Sequence, residues 1–152
     1  MDSAARLLKS GLRFCPLSDQ IAIKFIKTHE RRGELHLARQ FLSTMKDHSI
    51  EKTWKIVLEG ALMEARLGNM QVARSILEML MQNVGNFGTI FLEGVRFEEK
   101  WGGSLANAIS YCEEGLRKNP RYGPLWFAYL RVIDKLESEG WKKREKAIQQ
   151  AS

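Results

Sequence analysis

A step of 35 residues runs through this chain and narrows its architecture more than any other feature. Glycine recurs at Gly33, Gly68 and Gly103, and alanine at Ala38, Ala73 and Ala108. Three residues beyond each alanine stand Phe41, Ile76 and Tyr111, and the next apolar layer is Leu42, Leu77 and Cys112. Ile21, Ile56, Phe91 and Trp126 keep the same step over four units. A period of this size is the mark of a repeat array built from small supersecondary units. The glycine supplies the left-handed backbone that ends one helix and reverses the chain. The alanine lets two helices approach, and the bulky residues one turn later fill the space beside it. One such hairpin buries too little surface to offset chain entropy, so neighbouring hairpins must stack on it. The expected fold is therefore all-α, a right-handed superhelix of antiparallel helix pairs.

The central unit shows the pattern most clearly. Trp54, Val57, Leu58 and Ala61 form one stripe at helical spacing, Glu64 and Gly68 close that helix, and Val72, Ala73, Ile76, Leu77 and Leu80 form a second stripe. Before it, Ala4 to Leu12 reads as a helix stopped by Pro16. Ser18 or Asp19 is placed to cap a helix bearing Ile21, Ala22, Phe25 and Ile26. From Leu35 the next helix presents Ala38, Phe41, Leu42 and Met45, and Asp47 and Ser49 are placed to cap the Trp54 helix. After it, Asn83 to Gly88 reads as a loop. Ile90, Phe91, Val95 and Phe97 lead to the Gly102-Gly103 turn, and Leu105 to Leu116 supplies a helix stopped at Asn119-Pro120. Pro124 suits the first turn of a helix running to about Glu139, and Trp141 to Gln150 reads as a shortened, basic second helix. The organisation expected is one domain over 1–152, with a partial unit at 4–17, repeats at about 18–50, 51–86 and 87–122, and a partial unit at 123–152. Such a chain reads as an excerpt of a longer array.

Composition excludes several classes. No apolar run approaches the roughly 18 residues of a membrane span. Arg6, Lys9 and Arg13 interrupt the first helix, unlike a secretory leader, so an intracellular protein with no membrane partner is expected. Cys15 and Cys112 lie far apart and suit reduced thiols better than a disulfide framework. The net charge of +6 is uneven: residues 1–50 hold nine basic and five acidic side chains, residues 51–100 six and seven, and residues 101–152 nine and six. Basic ends permit nucleic-acid or acidic-protein partners without demanding either.

The units resemble half-a-tetratricopeptide (HAT) repeats, relatives of the tetratricopeptide repeat. Trp54, Phe91, Trp126 and Tyr129 are the aromatics of the first helices. Glu30, Glu64, Glu99 and Glu137 stand three or four residues before Gly33, Gly68, Gly103 and Gly140. Ala38-Arg39 and Ala73-Arg74 match the family's second-helix opening, Ala5-Arg6 is a candidate earlier copy, and Asn119-Pro120 to Leu125-Trp126 resembles its junction between units. Ala108-Ile109, Ile21 and Ile56 depart from the pattern and keep an ordinary tetratricopeptide assignment open. The HAT resemblance implies a non-enzymatic scaffold in an RNA-processing complex (splicing, messenger 3′-end formation or ribosomal RNA maturation), nuclear, with a cytoplasmic or organellar place as the alternative, and with other proteins of that complex as partners. Two alternatives stand beside it, a cytosolic peptide-binding adaptor and a direct single-stranded RNA binder. Open solenoid ends also leave a homodimer available.

No catalytic constellation accompanies the repeat. His29, His36 and His48 have no companion ligands at metal-binding spacing, so neither metal nor cofactor is expected. His29 with Glu30, Arg31 and Arg32 reads as the polar end of a helix. Glu98-Glu99 and Glu113-Glu114 are adjacent helical positions that point about 100° apart and do not converge. Glutamates here are expected to accept hydrogen bonds or to pair with arginines such as Arg39 and Arg74 in neighbouring helices. Met79, Leu80 and Met81 read as packing, with an exposed binding patch as the other reading. Two surfaces are candidates for a partner or RNA. One is the strip Lys24, Lys27, Thr28, Arg31 and Arg32. The other joins Arg121, Arg131, Lys135, Trp141, Lys142, Lys143 and Arg144, cations mixed with aromatics able to stack on bases. Each has a plainer reading as a solvated face.

Overall fold

A computed structural model describes residues 18–151. Among these described residues seven α-helices follow one another: α1 (Asp19–Arg31), α2 (Leu35–Ser43), α3 (Ile50–Arg66), α4 (Met70–Asn83), α5 (Gly88–Phe97), α6 (Leu105–Lys118) and α7 (Gly123–Ala151). Among the described residues there is no strand. A 3-10 turn, Thr44–Asp47, extends α2, and a π-helical turn, Glu98–Gly102, extends α5. The chain divides into two compact units, Met1–Val84 and Gly85–Ser152. The helix expected over Ala4 to Leu12, with Pro16, Cys15 and the Ala5-Arg6 pair, lies outside the described residues.

The three repeating glycines do what their spacing requires. Gly33, Gly68 and Gly103 adopt φ of 76°, 90° and 73°. At the first, the Glu34 N–H donates to the His29 carbonyl at 2.8 Å and the Gly33 N–H to the Glu30 carbonyl at 3.1 Å. At the second, Asn69 N–H donates to Glu64 O at 2.9 Å and Gly68 N–H to Ala65 O at 3.1 Å. This paired closure satisfies carbonyls that a helix end otherwise leaves orphaned. The third differs: the Gly103 N–H reaches back to Glu98 O at 2.7 Å across the π turn.

In the first unit Ala22, Ile26, Ala38, Met45, Ile56 and Met63 form a buried cluster, flanked by Leu35, Phe41, Leu42 and Val57. Ala38, Ala73 and Ala108 are fully buried, as the close approach of paired helices needs. α3 is covered on most of its circumference, with Ile56, Ala61, Met63 and Ala65 all at or near zero exposure. In the second unit α5 brings Ile90, Phe91, Val95 and Phe97 inward, and α7 meets them through Leu125, Ala128 and Val132. Gly115 makes the fit: a Cβ there would lie 2.7 Å from Phe91 Cγ and 2.8 Å from Leu125 Cδ1.

Several expectations are corrected. α7 runs 29 residues without interruption, so the break foreseen near Glu139 is absent and Trp141 to Gln150 is its continuation. Gly140 keeps negative φ, and a mid-helix glycine costs about 1 kcal/mol without ending a helix made of Lys, Glu, Arg and Ala. Trp126 is 47% exposed, because Leu125 takes the inward position, and its indole N–H donates to the Pro120 carbonyl at 2.9 Å. Val72, placed in a core stripe by spacing, is 50% exposed. Ser18 and Ser49 occupy N-cap positions, but their side chains make no capping bond. Their carbonyls accept instead, Ser18 O from Ala22 N–H and Ser49 O from Thr53 N–H and Oγ1. Asp47 falls inside the 3-10 turn. The side-chain cap that does form is Ser104 on α6, accepting from Asn107 N–H at 3.1 Å.

Candidate docking surface

Within the first unit α2 with its 3-10 turn and α4 form the walls of an open groove of about 510 Å³, and α3 forms its floor. Leu42, Met45, Ile50, Val57, Val72, Ile76 and Met79 line it. α4 can build one wall because it carries two apolar stripes. Ala73, Leu77 and Leu80 are fully buried, and Val72, Ile76 and Met79, at the i, i+4, i+7 positions beside them, remain accessible. Gly60 keeps the floor low, since a Cβ there would come within 2.9 Å of Leu42 Cδ1. Met79 is 37% exposed, whereas Leu80 and Met81 are buried, so one of the three residues read as packing faces the groove.

The groove's polar end is held by a fixed ion pair. Arg39 on α2 donates Nε and Nη2 to the two oxygens of Glu64 on α3, at 2.9 and 3.3 Å, and Asn69 Nδ2 adds a third bond at 2.6 Å. Burial alone pushes the Glu64 carboxyl up. The hydrogen bonds from Arg39 and Asn69, with the arginine's charge, outweigh it and hold the group below the usual carboxylate range. Arg39 thus neutralises Glu64 where it stands, and Lys46 leaves a positive charge on the rim. A second network fastens α1 to α3: Arg66 makes a two-pronged pair with Glu30, both bonds at 2.9 Å, and reaches Glu59 at 2.9 Å. Two of the glutamates before the repeating glycines are thereby structural, as expected for Arg39.

The strip on α1 stays together. Lys24, Lys27 and Arg31 are exposed and, with Gln20, Ile23 and Thr28, border a shallow hollow of about 570 Å³. Arg32 is drawn aside to Glu34, with Nε 2.7 Å from Oε1. His29 is not a polar terminus but a buried residue, 6% exposed, with its ring edge-on to Phe25 at 4.3 Å, because it continues the Ala22, Phe25, Ile26 face.

The second set of cations is not one patch. Arg131 and Lys135 both bind Glu99, Arg131 Nη2 at 2.6 Å and Nε at 3.1 Å. The Arg131 bond, followed by that of Lys135, keeps the Glu99 carboxyl below its ordinary range against the effect of burial. Arg121 sits before α7, and Trp141, Lys142, Lys143 and Arg144 stand exposed on its far half, roughly 30 Å along the helix at 1.5 Å per residue. Glu98 is fully buried, Glu113 accepts from the Tyr129 hydroxyl at 3.2 Å, and Glu114 pairs with Arg117 and Lys118. The paired acids therefore serve packing and ion pairing. Among the described residues no group of three or more His, Cys, Asp or Glu side chains is placed to hold a metal ion, and no helix is long and apolar enough to cross a membrane.

The groove was missed because spacing alone assigned Val57, Val72 and Ile76 to the core. The width of the α4 apolar face, two stripes where one suffices, was the available signal.

Comparison with known proteins agrees with this architecture. The model of the PRP6 TPR-like domain matches residues 1–152. A TPR-containing protein of Dictyostelium discoideum is 42% identical over 135 residues, which is 89% of this chain and 10% of that protein. The chain thus spans about a tenth of that relative's length. No solved structure matches significantly.

Proposed function

The chain belongs to the PRP6 TPR-like domain family, and from that premise we propose that it is a non-enzymatic, nuclear protein-protein scaffold of a splicing complex. TPR-like repeats are generally scaffolds rather than catalysts, and the described residues fit that use. The observation that carries the reading is the half-open apolar groove of the first unit, with Val72 and Met79 exposed over a floor closed by Val57 and Gly60. A groove already formed in the fold takes a short apolar segment of a partner at a smaller ordering cost. The positive charge of Lys46 on the rim favours a segment with an acidic residue beside its apolar stretch. The Ala38-Arg39 and Ala73-Arg74 openings and the Asn119-Pro120 junction support reading the units as HAT-type repeats.

The strip Lys24, Lys27 and Arg31 supports a second reading, direct contact with single-stranded RNA. Exposed cations along one helix face attract a phosphate backbone, and such affinity falls steeply with salt.

Affinity capture from nuclear extract with and without nuclease separates these readings. The scaffold reading expects splicing proteins to remain after nuclease and to be lost from Val72→Glu and Met79→Glu chains. Retention by those variants would remove the groove from the account. Loss of all partners on nuclease treatment would make RNA the tether. Capture of chaperones alone would favour a cytosolic peptide adaptor.

A further inference from the structure

The outer face of α7 carries a seam that the fold of this chain does not use. Leu125, Ala128 and Val132 are fully buried on the inner side, while on the opposite side Phe127 is 74% exposed, Leu130 62%, Trp141 65% and Ile148 70%. Asp134, Glu137 and Arg144, also exposed, fill the gaps between them. Together these residues follow one another at steps of three, four, three, four, three and four, the heptad spacing of a two-helix seam. A solvent-facing helix surface does not need this spacing, and four large apolar side chains on it are a cost in water.

The charges within the seam say what covers it. An antiparallel pairing in which position numbers of the two helices sum to 278 sets Leu130 against Ile148 of the partner subunit and Asp134 against Arg144 of the partner subunit. By symmetry each of these pairs occurs twice. Glu137 then meets Trp141 of the partner subunit beside the dyad, where Gly140 also falls. Outside its own stretch of helix nothing lies within 4 Å of where a Gly140 Cβ would stand, so no side chain covers the backbone there. A parallel, in-register pair would oppose Asp134 to Asp134, Glu137 to Glu137 and Arg144 to Arg144. Sliding the antiparallel pair by one heptad, to a sum of 271, would oppose Asp134 to Glu137. Of these arrangements, only the first sets an acid against a base and no like charges against each other, while it keeps Leu130 against an apolar residue, and it is isologous, as a two-fold dimer requires.

We propose that α7 is a homodimerisation helix, whose partner is a second copy of α7 packed antiparallel in this register. The proposal does not rest on the splicing reading. It is tested by sedimentation equilibrium over a wide concentration range, with far-UV circular dichroism as the control for folding. The 17.5 kDa chain is expected to double in mass as concentration rises. Asp134→Arg or Arg144→Asp alone sets like charges across both symmetric contacts and should weaken the dimer by about tenfold or more. The double exchange Asp134→Arg with Arg144→Asp restores the opposition with signs reversed and should bring association back to near the parent value. Trp141→Ala with Ile148→Ala should leave a folded monomer. A parent chain monomeric at every concentration would overturn the proposal, as would a dimer indifferent to these substitutions. So would a double exchange no better than the single ones.

Discussion

The same substitution at two glycines of α6 and α7 should change stability in opposite directions, and the difference can be worked from the packing. Gly115 lies inside α6 and is buried. An alanine Cβ there would stand 2.7 Å from Phe91 Cγ, 2.8 Å from Phe91 Cβ and 2.8 Å from Leu125 Cδ1. Replacing a helix-interior glycine by alanine gains about 1 kcal/mol from backbone entropy. Overpacking of a filled core costs about 1–3 kcal/mol. Phe91 and Leu125 are fully buried, and Phe91 Cβ cannot be moved by a rotamer change, so the strain belongs at the upper end. Gly115→Ala should therefore lose about 2 kcal/mol net. Gly140 is also mid-helix, exposed and without neighbours, so Gly140→Ala should gain up to about 1 kcal/mol and raise helicity. Both residues lie in the second unit, so urea unfolding followed by far-UV circular dichroism, at dilution, compares them directly. A Gly115→Ala chain as stable as Gly140→Ala would refute the claim that Phe91 and Leu125 set the spacing of these helices.

Other expectations follow from burial and from the ion pairs. Leu77→Ala and Phe91→Ala, both at fully buried positions, should each cost about 2–5 kcal/mol of unfolding free energy in urea titration, while Phe41→Ala, at a half-buried one, should cost less. Glu64 and Glu99 are held below the ordinary carboxylate range in the folded chain. Their contribution is fully present above the unfolded value of about 4.3 and is lost as pH falls through the lower folded value. Glu99→Gln should therefore lower stability at neutral pH and flatten the acid limb of the midpoint-against-pH curve. Burial, then the charge of Glu99, pushes the Cys112 thiol up to about 11. In a Cys15→Ser chain it should resist a thiol reagent at neutral pH until denaturant exposes it, and fast reaction with the native chain would contradict its burial.

Helix pairing could be read from the chain because it depends on local chemistry. A glycine that tolerates positive φ, an alanine that adds no bulk and a stripe at helical spacing act within a few residues of one another, and Gly33, Gly68, Gly103 and the three alanines behaved accordingly. Gly140 misled for the same reason: as a residue type it permits a turn, but it keeps negative φ among good helix formers, so α7 continues. Val72 and Trp126 misled because a helix has more than one face, and spacing does not say which face a neighbour will occupy.

The candidate surfaces divide along that line. Lys24, Lys27 and Arg31 lie three and four residues apart on one helix, so their shared exposure could be foreseen from sequence. Arg131 and Lys135 looked like part of a basic patch until the fold brought Glu99, more than thirty residues away, against them. The groove over Val57 and Gly60 exists only because α2 and α4 stand on either side of α3. The sequence by itself determined the helices, their glycine-closed turns and the repeat they build, since those are short-range choices of backbone and side-chain volume. The tertiary structure decided which apolar stripe is covered, which charge is neutralised and which face stays open, since burial and ion pairing are set by what the rest of the chain places alongside.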